Sequence, residues 1–115
     1  MNIKALLLAA IASTATLLPQ FTPIAAAQER SDCNVEIVGR QQGSRVNMRT
    51  GAGTEYGSPG FILVGQVVNM LNNYSGNRIS RIDSEGATWF YVEYTPSRTR
   101  GWVREDFIAP NCVNY

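Results

Sequence analysis

The chain of 115 residues has no histidine, one lysine and only two cysteines. Each shortage removes a class of chemistry. Without histidine, neither a Cys–His peptidase nor a Ser–His–Asp triad can be assembled, because both need an imidazole to take the nucleophile's proton. Two cysteines with no histidine do not complete a zinc shell. Lys4 is the lone lysine, so a phosphate loop ending in Gly-Lys-Ser/Thr is excluded. No stretch beyond residue 27 keeps a 3.6-residue apolar period, which argues against amphipathic helices. An excess of one charge is also missing. Ten basic residues stand against nine acids, spread along the chain, and give no electrostatic case for nucleic acid or anionic lipid. No nucleic-acid partner, cofactor or metal is expected.

What is present begins with a leader. Residues 1–27 read as a secretory signal peptide, with Lys4 at the positive start and Ala5 to Leu18 as the apolar stretch. Ala25-Ala26-Ala27 offers the small–x–small cleavage pattern before Gln28. The apolar stretch ends at Pro19-Gln20, too short for a membrane anchor. The protein is therefore expected to be secreted, periplasmic or extracellular, without stable membrane insertion after cleavage. Loss of Lys4 with the leader leaves no net formal charge. Cys33 and Cys112 lie near the two ends of the remainder, and in an oxidising compartment their default state is a disulfide. Closing so long a loop stabilises a fold by roughly 4 kcal/mol in the chain-entropy model.

Gln28 to Cys33 reads as a short polar lead. Asn34 to Val38 alternates as a half-buried strand does, and Gly39 to Ser44 as a turn. Val46-Asn47-Met48 is a second alternation, Phe61 to Val64 and Val67 to Leu71 are apolar, and Gly65-Gln66 separates them. Residues 72–88 are polar, with Ile79 and Ile82 compatible with a small hairpin. Trp89 to Tyr94 is the strongest strand signal, followed by a turn, by Gly101-Trp102-Val103 and by one helical turn over residues 104–108. Many short strands with frequent turn residues predict a small all-β barrel or sandwich. Gly51, Gly53 and Gly57 form G-x-G-x-x-x-G, one residue longer than the dinucleotide fingerprint, and Ser58-Pro59-Gly60 follow where a helix would be needed. These glycines are expected to supply positive φ angles in a long surface loop.

Taken in order, the motifs resemble those of bacterial SH3 domains. Val46 to Tyr56 is similar to the family's "LNVRSGPSTSY" opening, and Gly60 to Gly65 to its "G-x-L-x-x-G". Val68 to Leu71 matches "V-x-V-L", Trp89 to Val92 matches "W-Y-x-V", and Gly101-Trp102-Val103 with Phe107-Ile108 matches "G-W-V" and "Y-L". The resemblance spans about residues 46–109. It implies a small SH3-like five-stranded β-barrel over residues 34–115, carrying an insertion at 72–88. The disulfide would tie a flanking N-terminal extension strand to the C-terminal end.

Members of this family are usually non-catalytic binding modules of exported cell-wall proteins. The resemblance therefore implies a peptidoglycan component or an extended peptide as partner. A structural or regulatory module docking on another exported protein is the alternative, and a monomer is expected. Alternation along Trp89 to Tyr94 separates Phe90 and Val92 from Trp89, Tyr91 and Glu93. The family register turns Phe90 and Val92 inward and leaves Trp89 at the rim beside Tyr56. The candidate ligand contacts are Arg49, Tyr56, Trp89, Tyr91 and Trp102, since aromatic faces stack on sugars and prolines. Core packing is the competing role for Trp102, and bracing of its own loop for Arg49. Glu93 reads as a solvent-facing carboxylate.

Overall fold

A computed structural model describes residues 28–113; the signal peptide read over residues 1–27 lies outside them. The fold is all-β. In chain order it has β1 (Glu29–Glu36), β2 (Arg45–Met48), β3 (Gly60–Leu63), β4 (Val67–Asn72), β5 (Ser80–Ile82), β6 (Thr88–Tyr94) and β7 (Thr99–Arg104), then a 3-10 turn at Glu105–Phe107. β1, β4, β6, β5 and β7 share one antiparallel sheet, and β2 pairs with β3 in a second. β6 organises the larger sheet, with β7 along one edge and β4 then β5 along the other.

The two sheets do not close into a barrel. They meet at a bridge where the Arg49 and Trp102 backbones exchange N–H to carbonyl bonds of 2.9 and 2.8 Å. Gly101 permits that approach, since a Cβ there would lie 2.8 Å from Met48 Cβ. Beyond the bridge the strands part, and a groove lined by Trp89 and Phe107 opens between β2 and β7.

The core lies between the sheets. Val35, Val68, Met70, Val92 and Val103 from the larger sheet pack with Val46, Met48 and Ile62 from the smaller, and Phe90 is partly buried against them. The inward assignment of Phe90 and Val92 holds. The opposite face of β6 is partly covered as well, because β1 starts at Glu29, within residues that read as a polar lead, and sends the Arg30 side chain to Glu93. Its path is irregular. Arg30 pairs with Leu71 but Asn34 with Asn69, so the residues between them bulge. Asn69 satisfies that bulge: its Oδ1 accepts from Ser31 N–H at 2.9 Å, and its Nδ2 donates to the Ser31 carbonyl at 2.8 Å. A buried amide that spends its hydrogen bonds on irregular backbone is a stable arrangement; an unpaired one is not.

The bulge presents Cys33 to Cys112, and the two form the disulfide with Cα atoms 5.1 Å apart. Backbone bonds from Ala109 to Glu36 and from Val113 to Asn34 hold the C-terminal segment along β1. The insertion at 72–88 is β5 flanked by two turns of one design. Asn73 Oδ1 accepts from the N–H groups of Ser75 and Asn77, and Asp83 Oδ1 accepts from those of Glu85 and Ala87. Side-chain oxygens that accept two and four residues ahead fix such turns locally. The insertion thereby becomes an added edge on β6.

Candidate functional site

The glycine-rich loop after β2 returns on itself through a 2.8 Å bond from Thr50 N–H to the Gly57 carbonyl. Its glycines have different jobs. Of the three glycines expected to take a positive φ, Gly53 does, at 153°, and Gly51 and Gly57 do not. Gly51 instead provides clearance, because a Cβ there would lie 2.8 Å from the Tyr56 ring. Arg49 Nη1 donates to the Tyr56 carbonyl at 3.2 Å, which is the bracing role weighed for it. The result is a Tyr56 ring held over the loop and 45% exposed.

Across from this loop lie Arg81 and Ile82 of β5, Tyr91 of β6 and Trp102 of β7. Together with Thr50 to Ala52 and Tyr56 they line a groove of about 540 Å³. The Tyr91 and Trp102 rings are 5.2 Å apart and tilted by 42°, within the range where aromatic pairs attract. The Arg81 guanidinium sits 5.6 Å from the Trp102 ring centre. Trp102 is largely buried yet contributes to the groove lining, so packing and lining are combined in one side chain. Ile82 is 70% exposed. An open, mostly polar groove with aromatic faces and a guanidinium suits an extended ligand that has flat apolar faces and many hydrogen-bonding groups.

Three of the five sequence candidates, Tyr56, Tyr91 and Trp102, thus share one groove. Trp89 does not join them. It is 3% exposed rather than at a rim beside Tyr56, and its indole N–H donates to Asp83 Oδ2 at 2.8 Å. The turn at Asp83, supplied by residues 72–88, holds that indole edge. Arg49 and Trp89 line a second groove of about 290 Å³ with Arg45, Asn47, Arg104 and Phe107. Arg81 and Ile82 escaped the sequence reading. Their only signal was an isolated isoleucine and arginine in a polar stretch, whose placement depends on β5 pairing with β6.

Glu93 is the second correction. It is 1% exposed, with Arg30 donating from Nε and Nη2 to Oε2 at 2.9 and 2.7 Å and Arg100 donating from Nε to Oε1 at 2.9 Å. Alternation placed it on the outer face correctly, but the side chains of Arg30 and Arg100 reach over it there. Burial pushes its carboxyl pKa up, and the bonds from Arg30 and Arg100 outweigh burial, leaving it below the usual glutamate range. Asp83 is held below the usual aspartate range by the Trp89 N–H and then by the Ala87 N–H.

These carboxylates are spent on structure. Among the described residues, no group of three or more His, Cys, Asp or Glu could hold a metal ion, and no helix is long and apolar enough to cross a membrane. The disulfide and that absence are compatible with an extracellular or periplasmic location. Set against protein-family models, curated proteins and solved structures, the chain matches none of them.

Proposed function

We propose that the protein is an exported, non-catalytic binding module of the bacterial SH3 type. It takes a cell-wall component or an extended peptide in the groove between the first loop and β5, β6 and β7. The carrying observation is the shared lining of Tyr56, Tyr91, Trp102, Arg81 and Ile82. Stacking on Tyr56 and Tyr91 supplies contact area, Arg81 supplies hydrogen bonds to carbonyl or hydroxyl groups, and no covalent step is required. A second reading, docking on another exported protein, draws on Tyr74 and Ile82, which the insertion leaves 80% and 70% exposed.

The test is co-sedimentation of the purified protein with peptidoglycan, wild type beside Tyr56→Ala. Tyr56 is half exposed, so its removal spares the core. Wild type is expected in the pellet, and the variant in solution after a loss of about tenfold or more in affinity. A folded wild type that stays in solution rejects the wall ligand and leaves the protein-docking reading.

A further inference from the structure

The second groove shares none of the first groove's lining residues. We propose that it is a binding site for a small organic oxyanion, a carboxylate or phosphate on a compact apolar body. The argument starts on β2. Its period-two alternation buries Val46 and Met48 and turns Arg45, Asn47 and Arg49 outward on one face. The antiparallel bridge between Arg49 and Trp102 carries Arg104, at the end of β7, to the same groove. Three guanidinium groups therefore border one cleft.

What holds them decides the charge of the site. Arg45 lies over the Phe61 ring, 4.3 Å from its centre, and Arg49 bonds the Tyr56 carbonyl. A ring face and a carbonyl fix a guanidinium without neutralising it. Among the described residues neither arginine has a carboxylate within salt-bridge distance. Arg104 is paired, using Nε and Nη2 for Asp106 at 2.7 and 2.8 Å, which leaves Nη1. Asp83 and Glu85 also act on Arg104 through space, and the neutral Trp89 and Ala87 N–H groups that hold Asp83 leave its charge in place. Arg104 is thus compensated, and the positive charge without an ion-pair partner at the groove is that of Arg45 and Arg49. Guanidinium forks match the oxygens of carboxylates and phosphates geometrically, and outcompete water for them best where part of the site is apolar.

Phe107 and the edge of Trp89 supply that apolar part. A volume of about 290 Å³ lies at the small end of ligand pockets. It admits an anionic group with a body about the size of one ring, not a long chain. The overall neutrality of residues 28–115 hid the site, because a charge count carries no positions: Glu93 pairs with Arg30 and Arg100 and Asp106 with Arg104, whereas among the described residues Arg45 and Arg49 have no carboxylate within salt-bridge distance.

The experiment titrates the purified protein with benzoate, phenyl phosphate and neutral benzyl alcohol, following the Trp89 indole N–H by NMR. Arg45→Gln and Arg49→Gln are titrated alongside, and their unperturbed spectra elsewhere certify folding. Arg49→Lys provides a second variant that keeps the charge but lacks the fork. Saturable shifts with an anion are expected, weakened by salt and reduced about tenfold in each glutamine variant. The tighter of the two anions identifies the oxyanion. Absence of a shift with both anions, equal binding of benzyl alcohol, or unchanged affinity in both glutamine variants each overturns the proposal.

Discussion

A polar residue in a small core is informative by what it touches, and Glu93 shows how much that can matter. Its carboxylate holds Arg30 of β1 and Arg100 of β7 to the centre of the sheet. Both arginines stay partly exposed, at 49% and 32%, so they rehydrate once the partner is gone. Glu93→Gln is therefore expected to cost about 2 kcal/mol at neutral pH, below the value for breaking a fully buried pair. The pH dependence follows from the direction of the shift. A carboxyl depressed in the folded state stabilises above its unfolded pKa of about 4.3, and that contribution is lost as pH falls through the lower folded value. Urea midpoints measured from neutral pH to about pH 3 should decline steeply at the acid end for wild type and less so for Glu93→Gln. Parallel profiles would show that Glu93 carries no such linkage. At this scale residue identity was readable but partnership was not. Trp89 and Glu93 both stand where alternation places them, and each is covered by a segment, residues 83–87 or 29–30, that local pattern treats as loop.

At the scale of elements, one close approach decides the shape of both grooves. β2 and β7 touch at the bridge from Arg49 to Trp102 because Gly101 has no side chain. Gly101→Ala would place a methyl group 2.8 Å from Met48 Cβ and 3.1 Å from the Arg49 carbonyl oxygen. Backbone and a core side chain give little, so the expected loss is about 2 kcal/mol, read as a fall in the denaturation midpoint. The same change should separate the first loop from Trp102, reshaping the groove that they line as well as lowering stability. An unchanged midpoint means the two sheets can slide apart at no cost. The turn and strand residues announced most elements, including the helical turn before Pro110. The insertion was less legible. Its turns are encoded locally by Asn73 and Asp83, but only pairing with β6 makes β5 a strand, since Ser80-Arg81-Ile82 is exposed throughout.

For the molecule as a whole, the disulfide joins β1 to the end of the chain across 79 residues of sequence. Reduction, or Cys112→Ser, is expected to remove about 3–4 kcal/mol, chiefly by releasing the unfolded chain from its loop. Comparing urea unfolding with and without reductant checks this. A loss of a few tenths would show that the bridges at Asn34–Val113 and Ile37–Ile108 already hold the end. Cysteine count and position were sufficient to anticipate the pairing, because two cysteines have only one partner each.

The sequence by itself determined the all-β class, the paired cysteines, the exclusion of histidine chemistry and the long glycine loop. All of these rest on residue type and short spacing, which act locally. Tertiary structure alone decided that the sheets stay open, that Trp89 and Glu93 are buried, and that Arg45, Arg49 and Arg104 border one cleft. The physical reason is that burial and net local charge are sums over segments distant in sequence. β1 and the insertion supply the cover, and the register of β2 against β7 assembles the arginines.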